Sequence, residues 1–595
     1  MCSISGFSWD DRDLIKKMNK ILLYRGPDDT GIYNDSKMSL GHNRLSIIDL
    51  TKAGHQPMVN KNGYLWIIFN GEIYNYRKIR EDLILKGYEF QSNTDTEVVL
   101  YAYEEYGRHC LNFFNGMFAF AVWDTINKEL FLARDRLGIK PLYYYYNGKN
   151  LIFSSEIKAI LLHKINKEID LNCLNSFLTY RFIPSNKTIF KEIRKLLPGH
   201  YAIFKDKTLS IKKYWTLKWL IENNSESYFI DLLKKLLFSS VNLRLNSEVP
   251  LGIFTSGGID SSLVVAINSM LREDTINTFT VGFGHETDEF KYARKISDQF
   301  STKHHEVIVN LKDVCLQLPR IIWQMDEPHF EMTIVPLYFL SEYAKNKITV
   351  VNTGEGADEI FSGYPLYWIG SNLFKPIPKF LKDYIYLWYY SPFKHRDRHK
   401  LFNFSFKNDE TLKFYLKYAN SSSFPNDFLN KLLNFDVKHE LTNWELNRTD
   451  KIPMCHSMEA RVPFLDHRIV EMSTKLPVKF KLLNLNTKYI LKKLALKYLP
   501  RDIVFRKKQG FFVPQHTWIK QYLEDSIESI LFNNKKPFFN YEFIRKLIKK
   551  HKNSKKQRPF QLISFQLLSL LFFDIWYELY INNKTIREME QLLGN

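Results

Sequence analysis

The chain has 595 residues, a formal net charge of +20, 45% hydrophobic residues and 25% charged residues. This length exceeds what a single hydrophobic core supports, so two or more domains are expected, and the ordinary proportion of apolar residues excludes a largely disordered protein. The basic residues are scattered along the chain, which favours a solvated basic surface, and we expect no nucleic-acid partner.

The cysteines and the apolar stretches predict a compartment. The five cysteines lie far apart without a CxxC pair, which argues against a disulfide framework or a structural zinc site. The first residues carry no secretory signal, so we expect a cytoplasmic protein. The most apolar late stretch, residues 560–581, is interrupted by polar and charged residues, and we predict a buried helix there and no membrane span.

The first third of the chain has α+β patterning. Short apolar runs at 64–69, 117–123 and 142–146 are typical of strands, and the pattern over 96–106 is typical of a helix. Turn signals separate these runs, namely Asn70-Gly71, Asn147-Gly148 and Pro198-Gly199. We therefore predict one domain over residues 1–205 and a polar linker over 206–228.

The second part of the chain has a different character. Strand candidates at 251–255, 278–283 and 348–352 alternate with longer helical stretches, which predicts a parallel sheet covered by helices. Beyond residue 365 the pattern is mostly helical. We therefore expect a second, α/β domain over 229–595 with a mostly helical C-terminal part.

Cys2 is the first candidate catalytic residue. It follows the initiator Met and becomes the first residue of the mature chain if that Met is removed. Its α-amino group, with a pKa of about 7.7–8.0, then lies beside the thiol and is partly neutral near pH 7. Such an amine can accept the thiol proton, so the chain predicts a cysteine nucleophile that carries its own base.

Several specific strings follow Cys2 in a fixed order. They are residues 25–28 (RGPD), 42–49 (HNRLSIID), 56–58 (QPM), 69–75 (FNGEIYN), 94–97 (TDTE) and 133–143 (ARDRLGIKPLY). With them the chain resembles the N-terminal-nucleophile (Ntn) glutaminase domain of class II amidotransferases. The resemblance implies an αββα Ntn-hydrolase sandwich with Cys2 as the nucleophile that attacks glutamine.

The same resemblance implies individual roles. Arg44 would hold the α-carboxylate of glutamine and Asp95 its α-amino group, while Asn70 and the Gly71 amide would form the oxyanion hole. An arginine fork matches a carboxylate, and amide donors suit a tetrahedral oxyanion. The other glutamine-binding positions that the resemblance implies are Leu45, Ser46, Ile47, Ile48 and Glu72.

Two readings stay open in this region. The pair Asn70-Gly71 is also a common hairpin turn. The chain has Ser3 where the family usually has glycine, and Ser3 would strain the nucleophile if that position required an unusual backbone dihedral.

A second candidate site begins near residue 250. A strand-like run is followed by residues 256–262 (SGGIDSS) and by an apolar helical run, an arrangement that favours anion binding at a helix N-terminus. No Gly-Lys-Ser/Thr follows, so this is not a Walker A loop. The string is similar to the pyrophosphate loop of ATP pyrophosphatases, in the adenine nucleotide α hydrolase-like group, and the alternative is a plain Gly-rich turn. The ATP-binding residues that it implies here are Thr255, Ser256, Gly257, Gly258, Asp260, Ser261 and Ser262.

Later strings resemble the asparagine synthetase family. In that resemblance Val281 contacts adenine, and Thr353 and Gly354 in residues 353–359 (TGEGADE) contact ATP. Glu355 would support adenylate formation, and Lys508 in residues 506–511 (RKKQGF) would stabilise charge on the adenylate. Asp260 and Asp358 would hold Mg²⁺, since this hard cation prefers carboxylate and phosphate oxygens. Solvent-facing charge is the alternative for Asp358, and a structural role in a helix is the alternative for Lys488.

These resemblances imply a glutamine-dependent amidotransferase that uses ATP and Mg²⁺ and acts on small-molecule substrates. Aspartate is the leading acceptor, giving asparagine, AMP and pyrophosphate. A sugar uronate is an alternative acceptor for the same mechanism, and a tRNA-modifying pyrophosphate-loop enzyme is an alternative of another class. Family analogy suggests a homodimer.

Overall fold

A computed structural model describes residues 2–406, 410–419, 427–507, 515–553 and 562–594. Up to Lys213 these residues form two stacked antiparallel sheets with helices on both outer faces. The strands are β1 (Ser3–Phe7), β2 (Asp29–Asn34), β3 (Ser39–Arg44), β4 (Met58–Val59), β5 (Leu65–Ile73), β6 (Gly116–Asp124), β7 (Glu129–Arg134), β8 (Tyr143–Tyr146), β9 (Leu151–Ser154), β10 (Ile193–Lys195), β11 (His200–Lys205) and β12 (Thr208–Lys213). The helices of this region are α1 (Arg12–Ile21), α2 (Tyr76–Leu85), α3 (Asp95–Tyr106), α4 (Ile157–Ile160) and α5 (Leu171–Tyr180).

The two sheets bury their facing sides against each other. The first has the strand order β10-β8-β9-β1-β3-β2 and the second β12-β11-β7-β6-β5-β4. Ile4 and Phe153 of the first sheet belong to one buried cluster with Ile68 and Ala121 of the second. Helix α1 covers the first sheet, and α2 and α3 cover the second. The αββα sandwich implied by the sequence is therefore confirmed.

The chain leaves the second sheet later than the sequence analysis expected. Thr208–Lys213, assigned there to the linker, forms the edge strand β12 and pairs with β11. Most of its side chains are exposed, two of its six residues are lysines, and only Leu209 and Ile211 are apolar, so its strand pattern is short and weak. Helix formation resumes at Glu226, where the Ser225 side chain accepts a hydrogen bond from Tyr228 N and caps the next helix.

The described part of the second domain is built on a five-stranded parallel sheet with the order β15-β14-β13-β16-β17, as predicted. Its strands are β13 (Leu251–Phe254), β14 (Asn277–Gly282), β15 (Lys303–Ile308), β16 (Val350–Asn352) and β17 (Glu459–Arg461). The surrounding helices are α6 (Glu226–Leu243), α7 (Ile259–Leu271), α8 (Phe290–Gln299), α9 (Leu311–Met325), α10 (Ile334–Ala344), α11 (Ala357–Phe361), α12 (Lys379–Tyr390), α13 (His395–Leu401), α14 (Glu410–Ala419), α15 (Phe428–Phe435), α16 (Leu446–Met454), α17 (His467–Lys475), α18 (Val478–Lys481), α19 (Tyr489–Ala495), α20 (Arg501–Val504), α21 (Gln515–Trp518), α22 (Glu524–Asn533), α23 (Tyr541–Lys552), α24 (Leu562–Tyr580) and α25 (Ile586–Gly594). The π-helical segment Asp436–Glu445 joins α15 to α16.

Helix α24 is the one helix in the described ranges that is long and apolar enough to cross a bilayer. The apolar stretch of this helix is 78% buried within the fold. The aromatic rings of Phe573 and Trp576 pack inside the largest core cluster, as expected for a buried core helix.

Buried ion pairs join the two domains. Arg25 Nη2 lies 2.8 Å from Asp450 Oδ2, and both side chains are almost fully buried. Lys158 Nζ lies 3.0 Å from Asp326 Oδ1, and Lys195 Nζ lies 3.1 Å from Glu327 Oε2. Breaking one partner of a buried pair typically costs about 3–5 kcal/mol, so these contacts fix how the sandwich meets the parallel sheet.

Candidate active sites

Cys2 lies at the start of β1, in the centre of the first sheet. The register of β1 with β3 sets Ser3 opposite Asn43, which places Cys2 beside Arg44. The Cys2 nitrogen donates to Asn70 Oδ1 at 3.2 Å, and Arg25 Nε donates to the Cys2 carbonyl at 3.2 Å. The predicted nucleophile is therefore held on both sides of its Cα.

The thiol is in a buried environment. Burial raises the pKa of the Cys2 thiol, and a hydrogen bond from the Leu45 backbone and the positive charge of Arg44 offset only part of that rise. A thiol with a raised pKa needs a base to become a nucleophile. The Cys2 nitrogen is an amide while Met1 is attached, and it becomes that base once it is a free amine.

Ser3 fits its position without backbone strain. It lies in extended β1 and is not among the described residues with a left-handed backbone. Its hydroxyl accepts a hydrogen bond from Asn43 Nδ2 at 2.9 Å. The strain expected for a residue larger than glycine is therefore absent here.

Asn70 and Gly71 lie inside β5 rather than in a turn, so the hairpin reading is wrong. An added Cβ at Gly71 would lie 2.2 Å from the Met117 carbonyl oxygen of β6, which explains the glycine by close strand approach. Asn70 is fully buried, and its Nδ2 has no hydrogen-bond partner among the described residues. A buried amide donor without an acceptor costs free energy, so it marks a place where a substrate oxygen fits.

Arg44 holds the loop that follows β3. Its guanidinium donates to the carbonyls of Thr51 at 2.9 Å, Ile48 at 3.2 Å and Asp49 at 2.5 Å. Because an arginine has five N–H donors, two are left for a substrate carboxylate. The structure thus adds a loop-fixing role to the carboxylate-binding role that stays a prediction.

The predicted glutamine-binding residues of this loop differ in how directly they contact Cys2. Leu45 touches the Cys2 thiol through its backbone. Ser46 N donates to Asp28 Oδ2 at 2.8 Å, and the Ile47 carbonyl accepts from Glu248 N at 3.0 Å. These backbone bonds commit Ser46 and Ile47 to the loop itself, while Ile48 is buried beside Arg44.

Glu72 and Asp95 form a buried pair of carboxylates next to Asn70. Asp95 Oδ2 accepts from Ile73 N at 2.8 Å. Burial raises the pKa of Asp95 to about 7. Burial, together with the charge of Asp95, raises the pKa of Glu72 well above its ordinary value. Two adjacent buried carboxylates favour a cationic ligand such as an α-ammonium group.

The nucleotide loop leaves the carboxyl end of β13, where open α/β sheets bind ligands. Residues 255–258 turn into α7, which begins after Gly258. The Ser261 hydroxyl accepts from Ser256 N at 3.2 Å, and the Thr255 hydroxyl accepts from Gly257 N at 3.3 Å. The loop is thus shaped by its own hydroxyl groups. Ser262 Oγ, inside the first turn of α7, is buried without a partner among the described residues.

Two neighbouring strands bring the other predicted nucleotide residues to this edge. Thr353 follows β16, and its N–H donates to the Arg461 carbonyl of β17 at 3.0 Å. An added Cβ at Gly354 would lie 2.7 Å from Ser261 N, so this loop packs directly on the start of α7. Val281 is buried near the carboxyl end of β14. All three therefore share one edge of the sheet.

The two predicted metal ligands converge on one lysine. Lys488 Nζ lies 2.6 Å from Asp260 Oδ2 and 2.7 Å from Asp358 Oδ1. Lys488 is buried and immediately precedes α19, so it is not inside a helix. In the described ranges no cluster has three or more His, Cys, Asp or Glu side chains suited to a metal. Two carboxylates that converge on a cation do fit Mg²⁺, which proteins often hold by one or two carboxylates together with substrate phosphates.

Glu355 is about one-third exposed and belongs to a pocket-like cluster of carboxylates around Arg448. Arg448 Nη2 lies 3.0 Å from Glu355 Oε1 and 2.5 Å from Glu445 Oε2, and Arg448 Nη1 also pairs with Glu331. Glu331 Oε2 has no hydrogen-bond partner among the described residues, and the nearest histidine nitrogen, His329 Nε2, is 3.6 Å away. One guanidinium thus faces three carboxylates, which leaves the pocket negatively charged.

Lys508 falls outside the described residues. Its neighbour Arg506 is described, and it lies against the nucleotide loop, since its Nη2 is 3.9 Å from a Cβ placed on Gly258. Burial lowers the pKa of Arg506 to about 10, although Asp260 opposes this. Arg506 also pairs with Glu289 and stacks over the Tyr292 ring at 4.4 Å.

Sequence reasoning gave no role to three cations that the fold brings to these sites, namely Arg448, Arg461 and Arg506, and it offered a structural role in a helix for Lys488. Arg448, Arg461 and Lys488 are single basic residues in a chain with 84 lysines and arginines. For Arg506 a signal existed, because it lies in residues 506–511, which resemble the family. For Arg448 the sequence carries no distinguishing pattern.

The stacked antiparallel sheets, with a buried cysteine beside an unused amide donor, have the arrangement of the glutaminase domain of class II amidotransferases. A family model described as a glutamine amidotransferase domain matches residues 1–215, and one described as asparagine synthase matches residues 232–578. The chain belongs to the asparagine synthase family.

Curated relatives match along most of the chain. "Asparagine synthetase [glutamine-hydrolyzing] 1" of Bacillus subtilis is 32% identical over 97% of this chain and 95% of its own length. "Putative asparagine synthetase [glutamine-hydrolyzing] 2" of Methanocaldococcus jannaschii is 38% identical over 64% of this chain and 79% of its own. "Asparagine synthetase [glutamine-hydrolyzing] 3" of B. subtilis is 31% identical over 87% of this chain and 88% of its own.

Proposed function

We propose that this protein is a glutamine-hydrolysing asparagine synthetase. It converts aspartate, glutamine, ATP and water into asparagine, glutamate, AMP and pyrophosphate. The observation that carries the proposal is the contact of Cys2 with Asn70 at 3.2 Å, beside a buried Asn70 Nδ2 that lacks an acceptor. A nucleophile with an unused oxyanion donor on the neighbouring side chain is what amide hydrolysis requires.

In the first half-reaction the Cys2 sulfur attacks the side-chain amide carbon of glutamine, and its proton goes to the Cys2 α-amine. Asn70 Nδ2 and the Gly71 N–H stabilise the oxyanion of the tetrahedral intermediate. The amine then returns the proton to the leaving nitrogen, which departs as ammonia. Water hydrolyses the thioester to glutamate and regenerates the thiol.

In the second half-reaction an acceptor carboxylate oxygen attacks the α-phosphorus of ATP, and pyrophosphate leaves. Ammonia then attacks the acyl carbon and AMP leaves. The N–H groups at the start of α7 hold phosphate oxygens, and Lys488 and Arg506 place positive charge beside them. Mg²⁺, held by Asp260 and Asp358, would neutralise charge on the departing pyrophosphate.

The pocket around Arg448 favours aspartate over a uronate as the acceptor. Its Nε has no partner among the described residues and can donate to a carboxylate, while the excess of carboxylates formed by Glu331, Glu355 and Glu445 suits an ammonium group. Aspartate has both kinds of group. A sugar uronate has the carboxylate without the cation and would leave the pocket's negative charge uncompensated.

The test is the Cys2→Ala variant, assayed with aspartate and, in parallel, with a uronate. We expect glutamine-dependent synthesis to disappear, because the nucleophile is gone, while added ammonia still supports asparagine formation from aspartate. Chromatography should find AMP and pyrophosphate as products. Glutamine-dependent synthesis by this variant, ADP and phosphate as products, or amidation of the uronate instead of aspartate would each overturn a part of the proposal.

Location and assembly stay predictions. All five cysteines are free thiols, which is consistent with a reducing, cytoplasmic compartment. A homodimer remains the expected oligomeric state.

A further inference from the structure

A cluster of buried charges lies where the glutamine pocket meets the second domain. It consists of Glu72 and Asp95 from the first domain and Glu459 and Arg461 from β17. Glu459 and Arg461 have 0% of their surface exposed, Glu72 3% and Asp95 6%. Charges removed from water to this extent must be balanced by partners within the cluster or by a ligand.

Arg461 is the cation of this cluster, and its donors are committed. Its Nε lies 2.6 Å from Glu459 Oε1 and its Nη2 lies 3.3 Å from Glu72 Oε2. Its Nη1 donates to the carbonyls of Arg244 at 2.9 Å and Asn246 at 2.7 Å. Arg461 therefore has a fixed position, from which it reaches the glutamine pocket of the other domain.

The cluster lacks positive charge. Three carboxylates face one guanidinium, and Glu72 Oε1 is buried without a hydrogen-bond partner among the described residues. The amino terminus lowers the pKa values of Glu72 and Glu459, but it serves as the proposed base beside Cys2. The remaining titratable groups near Glu72 do not supply a free cation. Tyr74 is buried and neutral at ordinary pH, Arg244 is engaged with Ser240 and Asp466, and Lys140 with Asp450.

We propose that Arg461, a residue of the second domain, is a positioning residue for glutamine: it neutralises part of the charge on Glu72, so that Glu72 and Asp95 together receive the α-ammonium group of the substrate. This inference rests on the proposed glutamine-hydrolysing function. It means that the glutamine pocket is incomplete without strand β17, although the residues proposed to touch glutamine come from the first domain.

The proposal has a pH dependence with a defined sign. Burial raises the pKa of Asp95 to about 7, and burial together with the charge of Asp95 raises the pKa of Glu72 well above its ordinary value, while Arg461 opposes the rise for both. The pair therefore holds a proton near neutral pH. Glutamine binding must displace that proton, so binding weakens as the pH falls below about 7.

Arg461→Met removes the counter-charge and should raise the pKa of the pair. We expect the KM for glutamine to rise about tenfold or more at pH 7, and the pH at which binding weakens to move upward by about one unit. Arg461→Lys should recover part of the affinity. The KM for ATP and the rate with added ammonia, measured on the same preparations, separate this effect from misfolding.

Glu459→Gln is the matched variant with the opposite expected sign. It removes a negative charge that competes for Arg461, but its amide oxygen can still accept from Arg461 Nε. The KM for glutamine should stay constant or fall, and the pH at which binding weakens should move downward. If Arg461 had only a structural role, both variants would lower the rates of both glutamine-dependent and ammonia-dependent synthesis. That result would overturn the proposal.

Proton release gives a readout that does not need turnover. In the Cys2→Ala background, glutamine binding can be followed by calorimetry at pH 7 in buffers of different ionisation enthalpy. We expect glutamine binding to release protons. In the variant that also carries Arg461→Met, this proton release should persist to higher pH. Binding without proton release, or no change on adding Arg461→Met, contradicts the inference. If the unmodified enzyme does not hydrolyse glutamine at all, the proposed function fails instead.

Discussion

At the residue scale, the two ends of the Asn70 side-chain amide have different roles in the proposed hydrolysis of glutamine. Asn70 Oδ1 accepts from the Cys2 nitrogen at 3.2 Å, while its Nδ2 faces no acceptor. The amide thus orients the proposed base through one end and offers a donor to the substrate through the other. Burial raises the pKa of the Cys2 thiol, so this orientation matters more than it would for an exposed thiol.

Asn70→Ala tests that double use. Loss of one oxyanion donor typically lowers kcat by about 10²–10³-fold, and we expect at least that reduction in glutamine hydrolysis. The measurement is glutamate release under saturating glutamine. Synthesis with added ammonia is the control and should continue, since Asn70 lies in the other domain. A fall in both rates by the same factor would instead indicate a general structural defect.

At the element scale, the nucleotide site is built where parallel strands end at glycine-containing loops. The loop after β16 lies so close to the start of α7 that no side chain fits at Gly354. Three parallel strands, β13, β14 and β16, thereby present nucleotide-site residues at one edge, since parallel strands point their carboxyl ends the same way.

Gly354→Ala tests this close approach. The added methyl would lie 2.7 Å from a backbone nitrogen, which cannot move like a flexible side chain. We expect the KM for ATP to rise about tenfold or more, from a displacement of the nucleotide loop worth about 1.4 kcal/mol or more. Glutamine hydrolysis should stay within about twofold.

Gly148→Ala is its control. Gly148 has φ +86° in the turn after β8, and an added Cβ there would touch nothing within 4 Å. That change strains only a local turn and should leave the KM for ATP unaltered. Equal effects of the two variants on ATP use would contradict the role given to Gly354.

The sequence predicted elements with a strong period and motifs with a fixed spacing. The strands around Ile67, Ala121 and Ile253 and the helix after Gly258 were expected from apolar patterns and lie where predicted. Asn70-Gly71 was ambiguous because a turn and a close strand approach use the same residues. Strand β12 was missed because only two of its six residues, Leu209 and Ile211, are apolar, which is too short a pattern to identify a strand. Lys488, which contacts Asp260 across 228 residues, could not be predicted, because its partner is chosen by tertiary folding.

At the scale of the whole molecule, the two domains are joined by buried charges rather than by apolar contacts alone. Glu156 pairs with Arg25 at 2.7 Å and also with Lys158, and all three are buried. Arg25 in turn reaches Asp450 of the second domain. The orientation of the domains therefore depends on the ionisation of a few carboxylates.

Glu156→Gln tests this dependence through pH. Burial alone would raise the pKa of Glu156, but Lys158 and Arg25 lower it to about 2. Because this lies below the ordinary value of about 4.3, the carboxylate stabilises the fold above pH 4.3 and this stabilisation is lost as the pH falls toward 2. The variant should lose about 3–5 kcal/mol at pH 7.

Denaturant unfolding at pH 7, 5 and 4 measures the difference between the variant and the unmodified protein. The difference in the free energy of unfolding should be largest at pH 7 and should decrease as the pH is lowered. Glu168→Gln is the control, because its pair with Lys191 is about half exposed, and it should cost less than about 1 kcal/mol at each pH. A difference for Glu156→Gln that is constant with pH would refute the assigned ionisation.

The contact between Arg25 and Asp450 spans 425 residues of sequence. At about 5–20 residues per second, a ribosome needs roughly 20 to 85 s to pass from one to the other. During that interval the nascent chain already contains Cys2 and Arg25. It still lacks Asp450, which pairs with Arg25 and holds it against the Cys2 carbonyl. We expect incomplete chains not to hydrolyse glutamine. Ammonia is then not released before the domain that binds the acceptor carboxylate has been synthesised.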